Sequence, residues 1–142
     1  MHPLYEKADR LSKVVYEAAL EVKAFIGAGV VLESIYQRCL MRELELRGHK
    51  VACEVAVPIT YKDYTFDEKL RIDILVDDCL VVECKAVDSD KADMGRFRAQ
   101  TLTYLKLMNL PLGLVINFAG KQFGKYGISR VILKDAASPD PA

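Results

Sequence analysis

A chain of 142 residues, 51% hydrophobic and 28% charged, fits a single packed core that needs no disulfide or metal staple. Its 20 basic and 20 acidic residues cancel; that excludes a passive nucleic-acid coat, which shows a basic excess, but not an enzyme whose acidic site takes up a divalent cation. No apolar run approaches the roughly 20 residues of a membrane helix, and the charged start MHPLYEKADRLSK lacks the apolar core of a signal peptide, so a cytoplasmic protein away from membranes is expected.

Apolar residues at helical spacing over 10–26 (Leu11, Val14, Val15, Ala18, Ala19, Val22 and Phe25 or Ile26) predict a first amphipathic helix, broken or bent by Gly27-Ala28-Gly29. A second helix is expected over about 31–46, with Leu32, Ile35, Tyr36, Cys39, Leu40, Leu44 and Leu46 inward, ended by Arg47-Gly48-His49. The period then drops to two. Val51, Cys53, Val55 and Val57 alternate with Ala52, Glu54 and Ala56, a strand that Pro58 should stop at once or soon after. Residues 59–66, with the turn Lys62-Asp63, read as a hairpin corner, 69–76 as the next strand, and Asp77-Asp78 as a turn. Residues 79–86 form a further strand, almost wholly apolar until Glu83.

A polar loop over 88–93 leads to a third helix at about 94–108, with Phe97, Thr101, Tyr104, Leu105 and Met108 on one side and Asn109-Leu-Pro111 as its stop. Leu112 to Phe118 is continuously apolar, the mark of a strand buried on both faces. A loop with Gly120, Gly124 and Gly127 precedes an edge strand at 128–133. The order α-α-β-β-β-α-β-β predicts one α/β domain over 1–134, a mixed central sheet flanked by helices, with a disordered tail at 135–142. Cys39, Cys53, Cys79 and Cys84 form no CxxC pair and read as reduced, mostly core thiols rather than a metal site.

The chemistry gathers in Arg71-Ile-Asp73 and Val82-Glu-Cys-Lys-Ala86. Residues i and i+2 of a strand share a face, so Glu83 and Lys85 point the same way from an otherwise apolar strand. Burying either charge without a partner costs several kcal/mol; a divalent cation held by carboxylates would compensate. For Asp73 to stand opposite Glu83 the hairpin must be centred on Asp78, which requires a three- or five-residue connection or a bulge; a two-residue turn would pair Asp73 with Val82 and send Glu83 to the other face. Taken alone, the string is short and common and reads first as a Glu83–Lys85 ion pair at a strand end, with Asp73 capping a neighbour. Glu33 on the second helix, and Gln100 and Tyr104 four apart on the third, tilt the balance toward a site.

Asp73…Glu83-Cys84-Lys85 resembles the D…(D/E)xK signature of the PD-(D/E)XK nucleases, and Gln100-Thr-Leu-Thr-Tyr104 the QxxxY motif of their RecB-like members. More closely, Leu32-Glu-Ser-Ile-Tyr36, Gly113-Leu-Val-Ile-Asn-Phe118 and Gly127-Ile-Ser-Arg130, with the stretches already named, are similar to the small GxxExxY proteins of that superfamily, over about residues 10–133. Here the glycine, Gly29, stands four rather than three residues before Glu33. The resemblance implies a restriction-endonuclease-like fold and a Mg²⁺- or Mn²⁺-dependent nuclease acting on DNA or RNA, DNA being favoured. It implies metal binding by Asp73, Glu83 and the backbone carbonyl of Cys84, with Glu33 as a further or water-mediated ligand. Lys85 would orient the attacking water, and Gln100 and Tyr104 would position water or the nucleic-acid backbone.

Lys91, Arg96 and Arg98 flank this site as phosphate contacts, or simply as a solvated face. Tyr36 reads as core with a bonded hydroxyl, Tyr104 as core or site with equal weight, and His2 and His49 receive no role. A homodimer would suit duplex cutting, although no stretch marks an interface. Two further readings stand beside the nuclease: an inactive nuclease fold that binds nucleic acid or a protein, and a purely structural α/β protein.

Overall fold

The computed structural model describes residues 1–27, 32–87, 94–119 and 127–139. The elements follow the expected order: α1 (Tyr5–Ile26), α2 (Glu33–Leu46), β1 (Val51–Tyr61), β2 (Tyr64–Val76), β3 (Leu80–Lys85), α3 (Met94–Met108), β4 (Leu112–Asn117) and β5 (Ile128–Ile132). One sheet runs β1-β2-β3-β4-β5. β3 and β4 are parallel, joined through α3, and every other neighbouring pair is antiparallel. α1 and α2 pack on one face and α3 on the other, so β3 and β4 are enclosed and read as near-continuous apolar runs.

α1 begins earlier than its strongest apolar spacing suggests, because Ala8 continues the buried row of Leu11, Val15, Ala18 and Val22. At its other end Ile26 packs on the core and Phe25 is 91% exposed. α2 rests on the sheet through Tyr36, Leu40 and Leu44, which are fully buried, whereas Leu32 and Leu46, expected inward, are exposed beside and at its ends. Gly113 lets α3 settle onto β4: a Cβ there would lie 2.7 Å from the Thr101 methyl. Past β5 the expected tail begins with a turn, and Ala136 is buried with its carbonyl accepting the His2 amide at 2.9 Å.

β1 does not stop at Pro58. It is an edge strand, where the missing proline N–H need not serve a neighbour, and Pro58 pairs with Lys69 before the register shifts between Pro58 and Thr60. The corner shrinks to the two residues Lys62-Asp63 between paired Tyr61 and Tyr64. The single inward row expected along β1 is also broken. Val51 packs with α1 and α2, Cys53 is exposed, and Val55 and Val57 pack with α3. β2 breaks in the same place: Ile74 and Val76 join the α1–α2 core, Ile72 the α3 core. Between the pairs Cys53↔Ile74 and Val55↔Ile72 lie Glu54 and Asp73, which do not pair, and Glu54 has φ 50°. A left-handed residue takes the strand out of its pleat, and alternation restarts in the opposite phase.

The β2–β3 hairpin has the odd-length connection that the site requires. Val76 pairs with Leu80, leaving Asp77, Asp78 and Cys79 in the turn. Asp77 and Asp78 are left-handed (φ 48° and 59°), and the Cys79 amide donates to the Val76 carbonyl at 3.0 Å. Cys79 is therefore buried in a turn rather than in the strand. The Asp77 carboxylate bonds the His49 ring (2.8 Å) and accepts from the Lys50 amide (2.8 Å), tying the turn to the start of β1. Burial pulls the Asp77 carboxyl upward, but these bonds and the His49 charge outweigh it and hold it below its ordinary value.

Candidate active site

Continuing the register Ile74↔Val82, Leu75↔Val81 and Val76↔Leu80 by one step brings Asp73 opposite Glu83. The backbone ladder ends there and the two carboxylates take over. The Cys84 amide donates to Asp73 Oδ2 at 2.9 Å, and the Asp73 amide is 3.4 Å from Glu83 Oε1. Each strand thus offers a carboxylate to the other's N–H. Asp73 is half-buried; Glu83 is 2% exposed.

Burial, a hydrogen bond to the Asp73 side chain and the nearby Asp73 charge push the Glu83 carboxyl up to about 9, with Lys85 a weaker opposing influence. Without a cation, Glu83 therefore carries a proton at neutral pH. Tyr104 reaches the same place from α3. It is 3% exposed, and burial together with the charges of Glu83 and Asp73 pushes its hydroxyl up to about 12. It is both a core residue, packed with Ile72, Leu105 and Val115, and a site neighbour. Burial among these acids also pushes the Cys84 thiol well above its ordinary value, so it stays a neutral thiol packed toward α1 and α2.

Lys85 follows Glu83 on the same face, and its ammonium lies 4.8 Å from the centre of the Phe97 ring, a cation–π contact that parks it beside α3. Glu33 opens α2, and its carboxylate accepts from the Ala86 amide at 3.3 Å, just past the end of β3. Tyr36 is core, as its helical position implies: its hydroxyl donates to the Gly27 carbonyl (2.7 Å) and its ring stacks on Phe118 at 4.7 Å.

Asp73, Glu83, Cys84, Lys85, Tyr104 and Glu33 are thus gathered at the end of β3. Gln100 and Arg96 are exposed on α3. Arg98 turns to β5, donating to Ser129 Oγ and to the Arg130 carbonyl. Lys91, Gly29 and the polar loop at 88–93 lie outside the described residues.

Two residues at the site carried no role in the sequence. Asn117, 1% exposed at the end of β4, bonds both backbone groups of Val87 and so fixes the chain leaving Lys85. Gln37 donates to the Asp73 carbonyl at 3.0 Å and to Glu54 Oε1 at 3.1 Å. The only signal for Gln37 was its spacing, four residues after Glu33 and hence on the same helix face.

No group of three or more metal-ligating side chains occurs among the described residues. The pair nonetheless suits a hard cation of the magnesium type, which retains several waters and uses one or two protein carboxylates. Two oxygen acids face each other, one held neutral by burial, a hydrogen bond to its partner and its partner's charge.

The family model of the PD-(D/E)XK nuclease superfamily matches residues 9–131. No curated protein and no solved structure matches the chain. No helix among the described residues is long and apolar enough to cross a membrane.

Proposed function

Because the chain belongs to the PD-(D/E)XK nuclease superfamily, we propose that it is a metal-dependent nuclease that hydrolyses phosphodiester bonds in DNA, with Asp73 and Glu83 at its centre. The observation that carries this reading is the pairing of two carboxylates at the end of the sheet, one of them 2% exposed and raised to about 9. Such a pair persists only with a proton or a cation to compensate it. Asp73, Glu83 and the Cys84 carbonyl would hold Mg²⁺ or Mn²⁺, with Glu33 as a further or water-mediated ligand. When bound, the ion supplies activation of water and neutralisation of charge on the scissile phosphate.

The chain's own groups do the remaining work. Glu83 gives up its proton as the cation is taken up. The Lys85 ammonium, on the same face and loosely seated on Phe97, orients the attacking water and holds a phosphate oxygen. The Tyr104 hydroxyl, raised to about 12, remains a proton donor at working pH and, with Gln100, positions water or the nucleic-acid backbone. Arg96, and Lys91 ahead of α3 in sequence, serve as phosphate contacts. Arg98 has its guanidinium committed to β5 and is the weakest of the three candidates for that role.

Incubating supercoiled plasmid and single-stranded DNA with Mg²⁺ or Mn²⁺ tests this. Wild-type protein should cut, and Asp73→Ala and Lys85→Ala should each slow cutting by roughly a hundredfold or more. No cutting by the wild type in either metal, with no metal-induced change in Tm, would reassign the chain to a nuclease fold that binds without cleaving.

A further inference from the structure

Glu54 and Asp73 stand between the pairs Cys53↔Ile74 and Val55↔Ile72 but do not themselves pair. A half-buried backbone carbonyl needs a donor, and the Gln37 side chain donates to the Asp73 carbonyl at 3.0 Å. The same Gln37 amide nitrogen bonds Glu54 Oε1 at 3.1 Å, so one side chain on α2 links the residue that breaks the ladder to the residue whose rung is broken. Glu54 is an exposed, non-glycine residue at φ 50° inside a strand, a conformation an L-residue keeps only when its surroundings hold it there. The change of phase in β2 falls at the same rung, with Ile74 facing α1 and α2 and Ile72 facing α3.

We propose that Gln37 and Glu54 are positioning residues that hold the Asp73 backbone rotated out of the β1–β2 ladder, so that its carboxylate meets Glu83 and the Cys84 amide. A continuous rung would fix the Asp73 carbonyl on β1 and keep residues 72 and 74 on one face. The open rung frees β2 to turn between them and carries the Asp73 carboxylate toward β3. Its meaning for catalysis rests on the nuclease reading, but the geometry can be tested without metal, substrate or activity.

The reporter is the Cys84 amide, whose partner is Asp73 Oδ2 at 2.9 Å. Hydrogen exchange at single-residue resolution in metal-free protein should show this amide protected in the wild type and exposed in Asp73→Ala. Gln37→Ala and Glu54→Ala should speed its exchange about tenfold or more, while the Val82 amide within the paired part of β3 keeps its rate. Glu54→Gln, which retains an acceptor for Gln37, should restore protection. Neither residue is buried, so both alanine variants are expected to fold, and Glu54→Gln provides a variant of nearly unchanged shape. Unchanged Cys84 exchange in both alanine variants would overturn the proposal, as would equal acceleration at Cys84 and Val82 or failure of Glu54→Gln to rescue. A wild type that never cuts DNA yet shows this pattern would sink the nuclease reading and leave the positioning role standing.

Discussion

Glu83 is an acid whose surroundings favour its neutral form. Its folded pKa of about 9 lies above the ordinary 4.5, so between those values the folded state binds more protons than the unfolded chain. The stability that Glu83 contributes to the metal-free protein is therefore fully present below about pH 4.5 and is lost as pH rises toward 9, by at most about 1.4 kcal/mol per pH unit for one proton. Urea unfolding in a chelator across pH 5–9 should show this decline, and Glu83→Gln should flatten it; an unchanged slope in the variant would place the titrating group elsewhere. Lys85 makes a different prediction. Its cation–π contact is worth only about 0.5–1 kcal/mol at an exposed site, so Lys85→Met should fold normally and bind Mn²⁺ within a few-fold of wild type. On the proposed mechanism, in which the ammonium serves the reaction rather than the fold, its kcat should nonetheless fall about a hundredfold or more.

At the scale of elements, the sequence made the order of helices and strands legible because each apolar run keeps one period, and the demand that Asp73 oppose Glu83 called for a three- or five-residue connection or a bulge, of which the turn at 77–79 is the first. Tyr36 and the doubly buried β4 were legible for the same reason. What escaped were features settled by tertiary neighbours. β1 runs through Pro58 because it is an edge strand, and its edge position depends on strand order. The break at Glu54 carries no local sign, since a glutamate is not the residue expected at positive φ, and nothing in the sequence singles out Gln37 beyond its spacing from Glu33. Conversely, charge alone grouped Arg98 with the site, whereas Ser129 and the Arg130 carbonyl claim it for β5. The seating of α3, and with it Tyr104, depends on Gly113. Gly113→Ala would drive a methyl against the rigid, buried Thr101 and should destabilise the domain by about 1–3 kcal/mol in denaturant unfolding. A stability within about 0.3 kcal/mol of wild type would mean that α3 has room to shift.

Over the whole molecule, a net charge of zero supplies no general attraction to nucleic acid, so on the proposed function substrate binding would lean on the site and the cation it takes up. The architecture suits that arrangement: two cores clamp β3 from both faces, and the rigid strand delivers Glu83, Cys84 and Lys85 to one end, where β2 contributes Asp73 and the helices contribute Glu33 and Tyr104. A ligand that binds only this assembled end should stabilise the entire fold, by about 2.7 kcal/mol at a hundred times its Kd. Whether the Asp73–Glu83 pair is a cation site closed by a proton when metal-free can be read from calorimetric titration of Mn²⁺ at pH 7 in two buffers of different ionisation enthalpy. One cation should bind with release of about one proton per ion, and Asp73→Ala should abolish the binding. Absence of binding by the wild type, or binding that survives Asp73→Ala with the same proton release, would contradict that reading.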